Sequence, residues 1–599
     1  MQPQWLKILN SSNRLMDKKI VAEILEEIGT LLELKGENPF KSRAYFNAAR
    51  AIESLEQDLD MLVKSGELGK VKGIGQALNE KITELVTTGR LEYYEKLKSE
   101  FPSGLMDLLR VPGLGPKKVK VLHEKLGIAN IGELEYACNE NRLLELDGFG
   151  ERSQEKILQG IQYLKKSHGL FLFNVAWEEA QALEAALRGH KMIRRISIAG
   201  SLRRRKEIIK DIDLVVSTQD SDAVMDFFTT LPQVEVITAK GDTKASVILK
   251  SGIAADLRTV SDMEFPYALH HFTGSKEHNI AMRARAQRMG LKMNEYGLFR
   301  EKDNHLIPCK DEEAIFNAVG LAYIQPELRE DMGEIAAAEP GGGGLPDLLE
   351  EDEIHGVFHT HSTYSDGNAS LEEMVKTAIR LGYEYIGVSD HSKSAYYAHG
   401  LKEDDIKKQH AEIDGLQKKY KDITIFKGTE ADILADGSVD YSDEVLASFD
   451  FVIASIHSRF NMTEEEMTRR IVKAMSNPYV TMLGHATGRL LLAREGYSIN
   501  MPKVIEAARR YSVIIEINAN PHRLDLDWRF GKLAKERGVK VSINPDAHSS
   551  EGLRDVAYGV GIARKGWLGA RDVVNSMGRD EMERFLQTRK AQAVKVRLA

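Results

Sequence analysis

The chain reads as a multidomain protein, all-α at its N-terminal end, α/β in the middle, and α/β again, as a barrel of parallel strands, at its C-terminal end. Three observations predict this. The pattern apolar-x-Gly-apolar-Gly opens a helical stretch three times, at Val71-Lys72-Gly73-Ile74-Gly75, Val111-Pro112-Gly113-Leu114-Gly115 and Leu146-Asp147-Gly148-Phe149-Gly150. The run Ile198 to Val216, IAGSLRRRKEIIKDIDLVV, sets two short apolar segments around a charged loop. Beyond residue 353, apolar runs ending in histidine or a carboxylate alternate with helical stretches, the mark of a parallel sheet. At 599 residues the chain exceeds what one core supports and should hold three or four domains.

Composition bounds the class. Hydrophobic content of 42% and charged content of 29% are those of an ordinary globular protein. The sequence has no run of 18 apolar residues and no leader with a small-residue cleavage site, which argues against membrane insertion and secretion and for a cytoplasmic protein. The opening MQPQWLKILNSSNRL reads as a loose extension, with Met16 as an alternative start. Two cysteines, Cys138 and Cys309, lie far apart, which argues for a reducing compartment and against a thiolate metal site. The net charge of −8 does not exclude nucleic acid, because a local basic face or backbone amides suffice to meet phosphates.

From Met16 to about Gly104 the pattern is helical, with Ile20, Ile24, Leu25, Ile28, Leu31 and Leu32 on one buried face. In the three repeats, Gly73, Gly75, Gly113, Gly115, Gly148 and Gly150 let the backbone turn tightly and present N–H groups at a helix start, a ready phosphate site. The repeats resemble the helix-hairpin-helix module, which grips DNA backbone without reading sequence. Lys81 follows the first repeat at the border of the stripe Leu78, Ile82, Leu85 and Val86. A partly desolvated lysine there can attack an aldehyde to form a Schiff base; the alternative is a solvated lysine on a helix edge.

In the middle segment, alternation along Asp211-Ile212-Asp213 points both carboxylates one way and Ile212, Leu214 and Val216 the other. Two carboxylates on one face call for a hard divalent cation, or else lie solvated on an edge strand. Gly200-Ser201 lies just upstream, where amides can approach a triphosphate, and Arg203 and Arg204 add fixed charge. In GIAADLRTV, Asp256 shares a face with Ala254 and Arg258 and would complete a three-carboxylate cluster. Two Mg2+ ions held that way can activate a primer 3′-hydroxyl and stabilise leaving pyrophosphate.

GSLRRRKEIIKDIDLVV, DLRTV and HHFTGSKEHNIAMRARAQRMGLKMNEYGLF resemble the palm and thumb of family X DNA polymerases. With the repeats, the resemblance runs from about Met16 to Ile324. It implies that Asp211, Asp213 and Asp256 bind Mg2+ or Mn2+ and that Asp256 acts on the primer hydroxyl. Gly200, Ser201 and Arg204 would hold the triphosphate of a dNTP. Phe272, Thr273 and Gly274 would lie beside its sugar, Asn279 near its base, and Arg283 near the template. The chain departs from the animal members at Arg205 and Lys210, where they carry glycine, which adds charge near the phosphate pocket. His271 replaces a tyrosine beside the sugar. Lys81 matches the family's lyase lysine, and Lys41 and Tyr45 match its 5′-phosphate surroundings, whereas Phe40, Gly69 and Ala77 break the rest of that pattern.

From about Gln325 to Glu353, four consecutive glycines, prolines and an acidic run read as a linker. Ten of the 17 histidines lie beyond it. His359 and His361 close one apolar run, Asp366 follows, and later runs end at His391, Glu430, His457, His485, and Asp546 with His548. Strand ends gather at one face of a barrel. Six histidines and three carboxylates there suit two or three Mn2+, Zn2+ or Fe ions rather than Mg2+. This set resembles the complete ligand set of the PHP family, a seven-stranded α/β barrel of phosphoesterases, and implies hydrolysis by a metal-activated hydroxide. His355, His399, His410 and His522 fall outside it.

The expected organisation is an N-terminal helical domain with the first repeat over 1–100 and a helical region with the other two over 101–168. A nucleotidyltransferase palm follows over 169–260, a thumb over 261–325, a linker over 326–353 and a PHP domain over 354–599. The joined resemblances imply a bacterial or archaeal monomer that fills short gaps in gapped or nicked DNA during base-excision or end-joining repair. The PHP domain would act as a 3′–5′ exonuclease that trims 3′ ends and cuts at abasic sites, with repair proteins as partners. The alternative is a PHP nuclease whose polymerase half is a weakly active or inactive DNA clamp. A small-molecule phosphatase fits the DNA-binding repeats poorly, and a non-enzymatic module would not need two sets of metal ligands.

Overall fold

Glycine placement shapes the helical part. Gly73, Gly113 and Gly148 take left-handed φ values of +103°, +87° and +85°, a region costly for residues with a Cβ. Each turn delivers a helix: α1 (Gln76–Thr88), α2 (Pro116–Leu126) and α3 (Glu151–Lys165). Gly75 and Gly115 are extended N-caps, and left-handed Gly89 and Gly127 end the first two helices. The stripe Leu78, Ile82, Leu85 and Val86 is buried as its spacing predicts. The computed structural model describes residues 18–598 apart from 54, 56–58, 103, 112, 145 and 166–168; Met16, Pro112 and the opening segment lie outside these. The chain forms two compact units, one of residues up to Cys138 with Leu143–Ile161, the other of Asn139–Arg142 with Gln162–Ala599.

In the second unit a five-stranded sheet is built from β1 (Ile193–Ile198), β2 (Asp211–Thr218), β3 (Val234–Lys240), β4 (Lys244–Leu249) and β5 (Ala254–Val260), in the order β1-β2-β5-β4-β3. Only β2 and β5 run parallel. Ile212, Leu214, Ala255 and Leu257 enter a core with Leu183 and Phe228, which turns the carboxylates to the other face. A thumb follows, with α4 (Phe265–Thr273), α5 (Lys276–Arg288) and a hairpin of Leu291–Asn294 with Gly297–Arg300.

The stretch expected as a linker is packed. Pro326–Leu328 is a 3-10 turn and Glu334–Ala338 a helix. Arg329 and Glu334 are fully buried, while Leu348 joins the thumb core and Leu349 the barrel core. Its glycine-rich composition hides these few anchors. Arg329 Nη1 lies 2.5 Å and Arg203 Nη2 2.6 Å from the carboxylate of Glu312, fastening the palm to the thumb.

The barrel is a sheet of seven parallel strands in sequence order: β6 (Gly356–Thr360), β7 (Tyr385–Val388), β8 (Thr424–Asp432), β9 (Phe451–Ser455), β10 (Met482–Leu483), β11 (Ile514–Asn518) and β12 (Val541–Asn544). A parallel bridge between Thr360 and Ala547 brings its two edges together. One face of the strands packs under helices through Val357, Ile386, Val452 and Ile515; the other gathers Phe358, Phe426, Phe451 and Met482 into a separate cluster. Gly428 has no room for a side chain, since a Cβ would come within 2.1 Å of the Phe451 ring.

Burial by itself would raise the Glu312 carboxyl, but Arg329 and Arg203 hold it well below the usual range. Glu312→Gln strands both guanidinium groups and should cost about 3–5 kcal/mol in chemical denaturation. Because the folded-state pKa is depressed, this stabilisation is present above the unfolded carboxyl's pKa of about 4.3 and is lost as pH falls through the folded one. The gap between wild type and variant should therefore close on acidification below about pH 4.

Candidate active sites

The first candidate site lies where β2 and β5 run side by side. Their register sets Asp213 against Asp256 and Asp211 against Ala254, so three carboxylates share one face. Burial first, then Asp211 and Asp256, push the Asp213 carboxyl up to about 7, against the pull of Arg258 and Lys244. Lys244, on neighbouring β4, brings Nζ to 2.6 Å from Asp256 Oδ2. Gly200 takes a φ of +63°, and a Cβ there would sit 2.1 Å from Asp213 Oδ2. The backbone of Gly200 thus closes directly on the carboxylates. An all-oxygen set of mutually repelling carboxylates fits a hard divalent cation.

Arg204, at the end of the same short turn, is held from two sides. Its Nε lies 3.1 Å from Glu330 Oε1, and its Nη1 donates to the Thr273 carbonyl. Gly274 crowds the same guanidinium, since a Cβ there would lie 3.1 Å from Nη1. Phe272 lies under Arg258, whose guanidinium carbon is 4.1 Å from the ring centre. Asn279 donates its side-chain amide to the His271 carbonyl at 2.7 Å, while Ser201 is half-buried and Arg283 exposed. One expectation is corrected. Arg205 does not add charge to the phosphate pocket; its guanidinium lies 4.4 Å over Trp177 and 5.3 Å over Phe173. A left-handed φ of +55° turns it away.

The second candidate site sits at the strand ends of the barrel. The nine expected residues fall into overlapping groups whose ligand atoms lie within 4.8 Å of one another: His361, Asp366, His391 and His548; His359, His485 and Asp546; His359, His361 and Glu430; His391, Glu430 and His457. His359 Nε2 is 3.2 Å from Glu430 Oε1 and 3.5 Å from Asp546 Oδ1, and His361 Nε2 is 3.3 Å from Asp546 Oδ1. Two ligands of one tetrahedral cation stand about 3.4 Å apart when each bond is about 2.1 Å. Buried nitrogens of His359, His361 and His548 and one Asp366 oxygen make no well-formed hydrogen bond. The donor set therefore fits metal ions of imidazole and carboxylate preference.

Electrostatics divide the rim histidines: against burial, nearby carboxylates hold His359, His391, His457 and His548 above the ordinary imidazole range, and His361 and His485 fall below it. Burial and the neighbouring His548 and His391 push His361 down to about 4, which leaves one ring nitrogen with a free lone pair at neutral pH. Burial works to raise Glu430, yet His457, His359 and His391 hold it well below the usual carboxylate range. His359, His485 and Asp546 have φ values of +55°, +22° and +52°, a strained region for non-glycine residues that costs about 1–3 kcal/mol each and clusters at functional sites. At His359 the strain coincides with a register shift between β6 and β7.

Sequence reasoning missed the residues that orient these ligands. Glu516 is fully buried on β11. It lies 2.6 Å from His359 Nδ1, accepts the His485 backbone N–H at 2.7 Å, and accepts the amides of Asn544 and Asn518. Asp432 sits 2.6 Å from His457 Nδ1. Such partners fix the ring orientation and tautomer of a metal-binding histidine. The available signal was a lone carboxylate inside the apolar run VIIEIN.

In the helical unit, Lys81 is half-buried, with Nζ 5.0 Å over the Tyr93 ring. Tyr93 stacks on buried Tyr45 at 6.3 Å, and Lys41 is exposed 3.6 Å from Glu37. Space is open around Gly75, Gly113, Gly115, Gly148 and Gly150, where a Cβ would meet nothing within 4 Å.

Known families match this chain in the order of its parts: a helix-hairpin-helix domain over residues 16–91, a SAM-like helix-hairpin-helix tandem over 105–162, the DNA polymerase beta thumb over 268–330 and a PHP domain over 358–520. Among curated proteins, a probable phosphatase of Caldanaerobacter subterraneus subsp. tengcongensis is 31% identical over 32% of this chain and 74% of its own length. One of Clostridium acetobutylicum is 30% identical over 32% and 78%. The DNA polymerase/3′-5′ exonuclease PolX of Bacillus subtilis is 40% identical over 96% of this chain and 100% of its own length. With that full-length likeness, and with polymerase-thumb and PHP parts in one chain, the protein belongs to the PolX family of DNA polymerase/3′-5′ exonucleases.

Proposed function

We propose that this chain fills short gaps in DNA during base-excision or end-joining repair, adding nucleotides in its palm and removing 3′ nucleotides or damaged 3′ ends in its barrel. The observation that carries the reading is that one chain sets three aspartates on one face of β2 and β5 and gathers nine histidines and carboxylates at the barrel's strand ends. Asp211, Asp213 and Asp256 would hold Mg2+ or Mn2+, and the barrel residues two or three Mn2+, Zn2+ or Fe ions. Such ions supply activation of the attacking oxygen and charge balance for the phosphate.

The chain's own groups do the rest. Asp256 receives the primer hydroxyl proton on the oxygen that Lys244 does not engage. The amides at Gly200-Ser201 and the Arg204 guanidinium take the triphosphate, Phe272 and Gly274 border the sugar, Asn279 the base and Arg283 the template. Glycine turns of the three repeats present N–H groups to the backbone of gapped or nicked duplex. Glu516 and Asp432 keep His359 and His457 aimed at the shared centre. Lys81, half-buried beside Tyr93, is the candidate lyase nucleophile. Among the described residues no helix is long and apolar enough to cross a membrane.

A rival reading, a nuclease with a clamp-like polymerase half, draws on Arg204 and Asn279 already being engaged by Glu330 and the His271 carbonyl. Gap filling separates the two. On a one-nucleotide gapped duplex with Mn2+, the wild type should extend with dNTP and shorten the 3′ end without it; shortening in both lanes supports the rival.

Asp256→Ala should abolish extension and spare shortening, and His361→Ala should do the reverse; loss of both activities in either variant would contradict independent centres. Gly200→Ala should remove extension, because its methyl group occupies the Asp213 oxygen position. Glu516→Gln should lower metal content or 3′ shortening about 10–100-fold while extension persists, as metal analysis and gel assays can check. Borohydride should trap Lys81 on a 5′-deoxyribose phosphate end, and an untrapped protein retires the lyase role.

A further inference from the structure

The triphosphate side of the palm is tied to the barrel through one carboxylate. Glu330 stands at the end of the thumb match with its side chain 9% exposed. Three cations converge on it: Arg204 Nε at 3.1 Å, Lys206 Nζ at 3.3 Å and Lys565 Nζ at 2.5 Å. Burial works to raise Glu330, but Lys565 and Arg204 hold it below the usual range, so it carries its charge.

Lys565 comes from the other domain. It ends α6 (Val556–Lys565), which packs on β11 and β12 of the barrel and on Pro326–Leu328. Its side chain is 0% exposed. Besides reaching Glu330, Nζ donates to the Arg204 carbonyl at 2.9 Å and to the Glu327 carbonyl at 3.4 Å. Trp528, also from the barrel domain, lies 4.6 Å from Lys565 Nζ and 5.1 Å from Lys206 Nζ, over its ring face. Arg204 is therefore held at its guanidinium by Glu330 and at its main chain by Lys565. One residue on, Arg205 lays its side chain across α6, where a Cβ on Gly561 would lie 3.4 Å from Arg205 Cδ.

Burying a lysine costs several kcal/mol unless it is paired and hydrogen-bonded. Here that arrangement serves the one arginine assigned to the triphosphate. A guanidinium fixed in advance loses less freedom when phosphate arrives, which lowers the free-energy cost of binding. We infer that Lys565 and Glu330 are positioning residues for Arg204, so that the barrel domain completes the nucleotide site of the polymerase half. The inference rests on the assignment of Arg204 to the triphosphate.

The test uses full-length protein, with dNTP KM and kcat measured in single-nucleotide gap filling and 3′ shortening measured without dNTP. Arg204→Ala should raise dNTP KM by about tenfold or more. Lys565→Met and Glu330→Gln should each raise it about three- to tenfold, with kcat within about twofold and 3′ shortening unchanged. If Lys565 acts through Glu330, Lys565→Met should add little to KM in the Glu330→Gln background, and Lys565→Arg should recover most of the loss. An unaltered KM in Arg204→Ala removes the nucleotide assignment itself. A raised KM there, with wild-type KM in both Lys565→Met and Glu330→Gln, overturns the positioning role alone, whereas additive effects assign Lys565 to the Arg204 main chain that it holds directly. Parallel loss of kcat and 3′ shortening in Lys565→Met, without that effect in Glu330→Gln, marks a general structural role and also overturns it.

Discussion

Repulsion between like charges that parallel strands force together is the constraint on which both centres depend. In the palm, the β2–β5 register leaves Asp213 facing Asp256 with Asp211 on the same side. Burial makes the conflict worse, and the raised Asp213 carboxyl is its signature. In the barrel the same geometry is repeated around a ring, but histidines are mixed with the carboxylates, so that Glu430 and Asp546 are each shared by several rings. The two donor sets differ in chemistry: oxygen donors alone in one place, nitrogen with oxygen in the other.

Surrounding structure exists to hold these arrangements against relaxation. Glu516 and its asparagine partners brace His359 and His485, and the left-handed His359, His485 and Asp546 carry strain that the surrounding barrel sustains. On the polymerase side the braces are ion pairs. Arg203 and Arg329 meet on Glu312, and Arg204, Lys206 and Lys565 meet on Glu330. Two neighbouring arginines thus reach two different carboxylates, one within the thumb and one shared with the barrel domain. Arg205 takes a third direction, onto Trp177 and Phe173.

Much of this was legible in the residues. Glycine repeats announce their turns because positive φ restricts the choice of residue. The Asp-x-Asp face follows from the two-residue period of a strand. Histidines at the ends of successive apolar runs converge because a parallel barrel brings strand ends to one rim. The segment from Gln325 to Glu353 was misleading, since glycine, proline and acidic composition conceals the buried Arg329, Glu334 and Leu349. Arg205 misled too: standing where the animal members carry glycine, it suggested added charge at the phosphate pocket, while backbone conformation sent it elsewhere.

Local pattern in the sequence determined which residues could meet a phosphate or a cation, because strand alternation, turn glycines and donor chemistry act over a few residues. Tertiary structure alone decided which groups support them. Glu516 reaches a histidine on β6, Lys244 reaches Asp256 from another strand, and Lys565 reaches Arg204 from another domain. The first and last of these contacts join segments far apart in the chain and the second joins two neighbouring strands, and whether a buried charge has a partner is settled only when the strands and helices carrying both groups have packed.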